Sequence, residues 1–389
     1  MLTLTGALTG LWAARPIRKG YNRQVNSRKR ITIKQVAKEA GVSTQTVSRV
    51  LNDRPDVAQE TRRRVREVIK RLDYQPSQAA RSLSRGLSYS LGVVAYGIEF
   101  FGPSRALSGI ERQAAELGYS PLLYLAREPA SNDVARFIDD LLSRNVDGII
   151  WAVPEIDDNR GWIEAQFDSL PVPAVFHSMG PRPGLSTICV DNYLGGRLAT
   201  QHLIDQGYCH IGLITGPMDW WEARERARGW RDAMTEAGLI ESGLGQANLP
   251  PQQDFIVYGS WEAASGEEGL NQLLDRRPDV EAIFVGNDQM ALGVMQTARR
   301  RGLHIPQDLA IVGFDDIPEA AYFWPPLTTV SQPLFDVGRT SVAELTRMIK
   351  VGRRDMSAIE PQTIMLQPKL IIRESSVRDK AAAVQVAGS

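Results

Sequence analysis

Apolar residues recur at intervals of three and four between residues 31 and 72, in three short segments. This spacing predicts a helix that begins after Thr32, a second helix over Thr44–Leu51 and a third over Gln59–Leu72, each with one apolar face. Gly41 permits a tight turn between the first two helices, and Ser43 is a typical N-cap residue for the second. Two short helices joined through a glycine turn predict a helix-turn-helix unit.

The predicted second helix has a polar outer face. Its exposed positions are Thr44, Gln45, Ser48 and Arg49. Gln can read adenine and Arg can read guanine in the major groove, while Thr and Ser suit phosphates or a thymine methyl. A basic face on the third helix is formed by Arg62, Arg63, Arg64 and Arg66. Short helical pairs also occur in small bundles with a solvated basic face, so the spacing alone leaves that alternative open.

Beyond residue 88 the pattern changes to apolar, strand-length runs that alternate with helical segments. The clearest strands are Leu91–Tyr96, Leu122–Leu125, Gly148–Val153, Thr187–Val190, Ile211–Thr215, Ala282–Val285 and Leu309–Phe314. This alternation predicts an α/β fold of parallel sheets covered by helices on both faces. A region of roughly 285 residues is large for one sheet, so two lobes are expected. Neither a G-x-G-x-x-G motif nor a P-loop follows any predicted strand, which disfavours a nucleotide cofactor.

Composition and charge indicate that the protein has a nucleic-acid partner. The 389 residues are 43% apolar and 23% charged, which is typical of a globular protein with two or three domains. Residues 1–90 hold 19 Lys and Arg against 6 Asp and Glu, and the remainder holds 26 against 39. A basic head on an acidic body indicates a segment that binds nucleic acid. Two cysteines, Cys189 and Cys209, exclude a disulfide scaffold, and no apolar run is long enough to span a bilayer.

Residues 1–30 carry seven basic residues and no acidic one. Their apolar stretch, residues 1–14, precedes the basic residues, which is the reverse of the order in a secretory signal. We therefore expect a basic, disordered tail, or a start site assigned too far upstream, on a protein of the cytoplasm.

The order of residues in the helical region resembles a known family. The segment ITIKQVAKEAGVSTQTVSRVLNDRPDVAQETRRRV, residues 31–65, resembles the DNA-binding headpiece of the LacI/GalR (lactose/galactose repressor) family of transcriptional regulators. The segment LDYQPSQAARSLSRG, residues 72–86, resembles the hinge of the same family. One departure is Ala58, where family members place a Ser or Thr cap before the third helix.

The resemblance implies a set of DNA contacts. It implies that bases in the major groove are contacted by Thr44, Gln45 and Arg49. It also implies that phosphate or nearby polar contacts are made by Asn52 and Thr61. The implied hinge contacts are Ser77, Ala80 and Leu83, of which Leu83 is the wedge that enters the minor groove at the operator centre. About two turns of helix are too short to be stable alone, so the hinge helix is expected only when DNA or a second hinge braces it.

The region after residue 88 resembles the periplasmic-binding-protein-like core of this family, in which the chain crosses between two lobes three times. We expect these crossings near Val190, Val330 and Glu360. The expected organisation is a basic tail (1–30), a helix-turn-helix domain (31–75), a hinge helix and linker (76–87), an N-terminal lobe (88–189 and 331–360), a C-terminal lobe (190–330 and 361–375) and a disordered tail (376–389). The last segment has no leucine heptads, so a tetramer built by a tail zipper is not expected.

Four motifs bear on the cleft between the lobes, where the family binds its effector. The resemblance implies contacts from Arg224 in GPMDWWEARERARGW, Asn287 in VGNDQMALG, Asp315 in IVGFDDIPEA and Trp261 in SWEAASG. Further candidates for the cleft wall are Phe100, Phe101, Trp220, Trp221 and Trp324. Carboxylates, an Arg fork, an amide and an aromatic face suit a sugar. Two alternatives stay open, since an Asp at a strand end is often only a helix cap and Phe100 could instead stack a nucleobase.

The combined prediction is an effector-responsive transcription regulator, a repressor, that binds a palindromic operator as a homodimer. A small molecule, with a sugar favoured over a nucleobase or nucleoside, binds in the cleft and changes operator affinity allosterically. No cofactor, metal site or catalytic residue is predicted, because the four histidines are scattered and no nucleophile–base pair can be argued. A solute-binding protein would not need the basic headpiece, an α/β enzyme would need a cofactor or nucleophile motif, and an architectural DNA-binding protein would leave the cleft unused.

Overall fold

The structure is a computed structural model and describes residues 31–51, 53–74, 86–128, 134–241 and 252–378. The chain divides into two compact units, residues 1–81 and residues 82–389. No helix within the described ranges is long and apolar enough to cross a membrane.

Three helices form the described part of the first unit: α1 (Ile33–Ala40), α2 (Thr44–Leu51) and α3 (Gln59–Arg71). Thr32 and Gln35 begin α1 with a capping box, in which Thr32 N donates to Gln35 Oε1 at 2.8 Å and Gln35 N donates to Thr32 Oγ1 at 3.4 Å. Gly41 ends α1 with φ at 63°, a conformation that costs glycine little. The predicted helix-turn-helix is confirmed.

The three helices enclose a small core in which Val36, Val47 and Val65 are fully buried. Ala58 precedes α3 and makes no side-chain cap, which fits its departure from the family pattern. Part of the basic face of α3 is engaged in contacts within the protein, although the sequence predicts that it is exposed. Arg62 is half-buried and donates to Asp53 Oδ1 at 3.0 Å and to the carbonyl of Arg54, because the loop before α3 folds back onto the helix.

A six-stranded parallel sheet forms the first lobe of the second unit. Its strands are β1 (Ser90–Ala95), β2 (Ser120–Leu125), β3 (Gly148–Ala152), β4 (Ala174–His177), β5 (Ser186–Val190) and β11 (Thr363–Leu366), in the spatial order β11-β5-β4-β3-β1-β2. Its helices are α4 (Phe101–Glu116), α5 (Val134–Ser143), α6 (Gly161–Gln166) and α11 (Leu334–Gly352). Every position of β3, β4 and β5 is buried, as expected for strands covered on both faces.

The second lobe repeats this design. Its strands are β6 (Ile211–Thr215), β7 (Ile256–Tyr258), β8 (Ala282–Val285), β9 (Ala310–Asp315), β10 (Thr328–Ser331) and β12 (Lys369–Ile371), in the spatial order β12-β10-β9-β8-β6-β7. All pairings are parallel except that of β12 with β10. Its helices are α7 (Asn192–Asp205), α8 (Trp221–Glu236), α9 (Ala263–Arg276) and α10 (Asp288–Arg300).

The chain passes between the two sheets three times. The first passage follows Val190, at the end of β5, and the second follows Ser331, at the end of β10. The third passage lies between Leu366 and Lys369, beyond the position near Glu360 that the sequence suggested. The reason is that β11 pairs in parallel with β5, which keeps the chain in the first sheet for one more strand.

Helices α7 and α8 approach each other closely, and glycine makes this approach feasible. A Cβ atom on Gly196 would lie 2.2 Å from the carbonyl oxygen of Arg226, and one on Gly229 would lie 2.2 Å from that of Tyr193. Both obstacles are backbone atoms, which cannot rotate away. The glycines therefore fix the position of α8, which carries several residues of the cleft.

We expect Gly229→Ala to lower the free energy of unfolding by about 1–3 kcal/mol, because overpacking forces the two helices apart. Gly161→Ala is the matched control, since its Cβ would lie 3.6 Å from the Asp158 carboxylate, which is an ordinary contact distance. That variant should stay within about 0.5 kcal/mol of the wild type. Urea unfolding of both variants measures the difference, and equal stabilities would refute the close-packing argument.

Candidate functional site

The polar face of α2 forms the first candidate site. Thr44, Gln45 and Arg49 are exposed on it and Ser48 is half-buried. Ser43 Oγ accepts from Thr46 N at 3.1 Å and so caps the helix. Arg49 lies 3.4 Å from Asp56 in an exposed ion pair, which is worth little in water and leaves the guanidinium available to another acceptor.

The remaining predicted DNA contacts divide into two groups. Thr61 is half-buried in the first turn of α3. Asn52, Ser77, Ala80 and Leu83 lie outside the described residues.

The second candidate site is a cavity of about 90 Å³ between the two lobes. Residues at the carboxyl ends of strands and at the first turns of helices line it, which is the usual position of a ligand in an open α/β sheet. The first lobe contributes Phe100 and Phe101, and the second contributes Trp220, Trp261 and Asp315, all of which are cleft candidates in the sequence.

Among the described residues, Arg226 is the arginine that lines this cavity. Its side chain is only 6% exposed, Nε donates to Asn192 Oδ1 at 2.8 Å, and one terminal nitrogen donates to the Gly286 carbonyl at 2.6 Å. The guanidinium lies 3.8 Å from the centre of the Phe314 ring. Burial lowers the pKa of Arg226, and the charge of Asp315 acts in the opposite direction.

The structure does not place Arg224 in the wall of the cavity. Its guanidinium donates to the carbonyls of Met218 and Asp219, at 3.1 and 2.7 Å, and braces the loop before α8 instead of lining the cavity. Arg224 and Arg226 are two positions apart on the helix, so their side chains lie on nearly opposite faces. The apolar face of α8 is formed by Ala223, Ala227, Trp230, Ala233 and Met234. Arg226 falls on that face, and this spacing was a signal that could have identified it.

Asp315 ends β9 and faces the same cavity. Its Oδ1 accepts from Gln332 Nε2 at 2.6 Å, and its φ of 118° is rare for a residue with a side chain. Burial raises the pKa of Asp315 to about 6, while the positive charge of Arg226 lowers it. The strand end therefore holds a carboxyl group beside a buried cation, where both can meet a ligand.

Asp288 and Asp316 support this arrangement as structural residues. Asp288 is fully buried and accepts from the Thr329 hydroxyl at 2.6 Å and from Ile317 N at 2.9 Å. Burial and then the charge of Asp315 raise the pKa of Asp288 to about 8. Asp316 accepts from Arg373 at 2.7 Å.

Asn287 lines the cavity, but its amide is largely committed to the protein. Its Oδ1 accepts from Met290 N and caps α10, while Nδ2 donates to the Trp261 carbonyl, both at 2.9 Å. Trp261 has a φ of 71°, so this hydrogen bond helps to hold a strained backbone. One lone pair and one N–H of the amide remain for a ligand.

Aromatic rings connect the two lobes across the cavity. The Trp220 ring lies 6.1 Å from that of Phe100, in the first lobe, and 5.8 Å from that of Trp261, in the second. Both pairs are edge-to-face. Trp324, also a candidate for this wall, is 88% exposed and does not line the cavity, because it lies in the loop between β9 and β10.

Backbone groups also join the lobes at one side of the cavity. Ile156 and Trp220 form an antiparallel bridge, Trp221 N donates to the Glu155 carbonyl at 2.9 Å, and Asp157 N donates to the Asp219 carbonyl at 2.8 Å. The structure therefore shows the two lobes in contact beside the cavity.

Comparison with known proteins places this architecture in a family. Residues 32–77 match the lacI family of bacterial regulatory proteins, and residues 200–376 match the periplasmic binding protein-like domain. The ribose operon repressor of Escherichia coli (strain K12) is 36% identical over 348 residues, which cover 89% of this chain and 99% of that repressor. The chain belongs to the lacI family.

Solved structures of lacI-family proteins agree with this assignment. A lac repressor dimer bound to operator and the anti-inducer ONPF has a TM-score of 0.77 and 30% identity, and the match covers 90% of this chain and all of that one. A complex of the transcriptional regulator CelR with cellobiose has a TM-score of 0.63 and 30% identity, with 89% of this chain and all of that one covered. The protein is a DNA-binding transcriptional regulator under small-molecule control, and not an enzyme.

The buried carboxyl groups predict a pH dependence of stability. Because the pKa values of Asp288 and Asp315 are higher in the folded than in the unfolded chain, the folded protein binds these protons more tightly. Their contribution to the free energy of unfolding therefore falls as the pH rises from about 4 towards 8. In Asp288→Asn, the free energy of unfolding relative to the wild type should rise between pH 5 and pH 8. Urea titrations at several pH values test this, and parallel profiles would contradict it.

Proposed function

We propose that this regulator is a repressor whose effector is a sugar bound in the cavity between the lobes. The observation that carries the proposal is that a buried arginine, Arg226, and a buried carboxyl group, Asp315, line the cavity beside a wall of aromatic rings. A guanidinium donates to sugar oxygens, a carboxylate accepts from hydroxyls, and an aromatic face packs against the apolar C–H face of a pyranose.

Two relatives support a sugar, while repressors named PurR, one of them 35% identical to this chain over 345 residues, keep a purine base as the second candidate. The two that support a sugar are the ribose operon repressor, which is named after a sugar operon, and the regulator CelR in its complex with cellobiose. The same aromatic wall would also stack a planar base, so purine bases belong in any test of the effector as the second candidate class.

We further propose that the protein acts in the cytoplasm as a homodimer on a palindromic operator. The match to a lac repressor dimer on its operator supports this arrangement. Two headpieces would meet two half-sites, with Thr44, Gln45 and Arg49 of each α2 in the major groove. Leu83, as the minor-groove wedge of the hinge, stays a prediction of the sequence.

Effector control follows from the contacts between the lobes. A ligand that touches Phe100 in one lobe and Asp315 in the other favours the lobe arrangement in which both contacts form. That preference changes the operator affinity by the same factor by which the operator changes the effector affinity.

Arg49→Ala should weaken operator binding by about 1–3 kcal/mol and relax preference at one base pair of each half-site. The operator is first identified by selecting bound sites from random duplex DNA. Arg112→Ala, which removes an exposed arginine paired with Glu116 in the second unit, is the control for net charge. Unchanged base preference in Arg49→Ala, measured by competition between operator variants, would refute the reading role.

Arg226→Met should abolish the effector response while operator binding without effector is retained, because the ligand loses its buried cation. Arg224→Met should keep effector affinity within about threefold, since a change of that size is below 1 kcal/mol. Fluorescence anisotropy of labelled operator, with and without sugar, reports both variants. The reverse pattern would restore Arg224 as the effector-binding arginine.

A further inference from the structure

Within the part of the chain that the structure describes, three polar atoms of cavity-lining residues are buried and have no hydrogen-bond partner. They are Oε2 of Glu222, Oε1 of Gln289 and Nε1 of Trp261. Buried polar atoms are paired in nearly all folded proteins, because an unpaired one costs about 1–3 kcal/mol. Three such atoms in the residues around one cavity therefore indicate that a ligand supplies their hydrogen-bond partners.

The chemistry of these atoms constrains the ligand. Glu222 and Gln289 offer acceptor oxygens, while Trp261 offers a donor. A ligand that satisfies all three needs two hydrogen-bond donors and one acceptor. Hydroxyl groups meet this requirement, because each can donate and accept.

The charge of the wall adds a second constraint. Glu222 and Asp315 are its acidic residues and Arg226 is its basic residue, among the described residues that line the cavity. Arg226 is already bonded to Asn192 and Gly286. An anionic ligand would face two carboxyl groups, and like charges repel more strongly at a partly buried site than in bulk water.

Glu222 is more than a helix-terminal acid. A Glu in the first turn of a helix commonly interacts with the helix dipole while exposed to water. The Glu222 Oε2 atom is instead inaccessible, and burial raises the pKa of Glu222 to about 7 despite its own backbone N–H and the charge of Arg226. The backbone N–H of its neighbour Trp221 donates to the carbonyl oxygen of Glu155 in the first lobe, so Glu222 lies where the lobes meet.

We propose that Glu222 determines effector specificity by accepting a hydrogen bond from a hydroxyl of an uncharged sugar and by excluding anionic sugars. This inference rests on the proposed function, since it concerns the same cavity. According to this inference, the effector is a neutral polyhydroxylated molecule, and sugar phosphates and uronic acids do not bind as effectors.

The test compares matched ligands on purified full-length protein. The probes are ribose, glucose, galactose and cellobiose, each screened beside ribose 5-phosphate, glucose 6-phosphate, glucuronate, galacturonate and the purine bases. Thermal shift identifies binders and calorimetry gives their affinities at pH 7.5. Operator affinity is measured separately by anisotropy.

The variants separate a specificity role from a structural one. Glu222→Leu removes the acceptor, and it should weaken binding of the neutral sugar by at least about tenfold. Glu222→Gln keeps one acceptor oxygen and should recover most of that loss. Glu225→Gln is the matched control on the same helix, where Glu225 pairs with Arg228, and it should bind like the wild type.

Three results would overturn the inference. These are tighter binding of a phosphate or uronate than of its neutral parent, the absence of binding by every neutral sugar in the panel, and wild-type sugar affinity in a folded Glu222→Leu variant. A neutral sugar that binds through Glu222 but leaves operator affinity unchanged would instead contradict the proposed function and support the specificity role.

Discussion

The burial of one positive charge organises the second unit of this protein. Arg226 has left water almost completely, which is tolerable only if fixed polar groups replace its hydration. Those groups come from different places in the chain: Asn192 at the start of α7, Gly286 after β8, and the Phe314 ring and Asp315 at the end of β9. The strand order of the second lobe and the close packing of α7 on α8 are what bring them to one point. The cavity is the space that remains beside this charge.

Much of the fold follows from local patterns. The headpiece helices, the alternation of strands and helices, and the division into two sheets follow from apolar spacing and from turn and cap residues such as Gly41 and Ser43. The less regular strands were harder to predict. β7 has three residues, and β11 is half-exposed at a sheet edge, so neither has a clear apolar pattern of its own. Their positions depend on pairing with β6 and β5, which is long-range information.

The site shows the same division between local and long-range information. The positions of Asp315 and Trp261 in the cavity wall could be predicted because the motifs that contain them resemble those of the family. One motif contains both Arg224 and Arg226, and only the helical spacing of Ala223, Ala227 and Trp230 distinguishes them in favour of Arg226. Glu222 could not be found in this way. What distinguishes it is an unpaired oxygen, and pairing can be judged only when every neighbour is in place.

The contacts that join the lobes beside the cavity have an evolutionary consequence. Residues 155–157 and 219–221 meet through peptide groups, and every amino acid except proline carries the same peptide groups. Side chains in these two segments can therefore change without loss of the bridge. Glu222 follows one of the segments directly, so a new ligand preference can arise there while the docking of the lobes is inherited unchanged. Ligand recognition and lobe contact are thus encoded in adjacent but separable parts of the chain, which favours diversification of effectors on a constant scaffold.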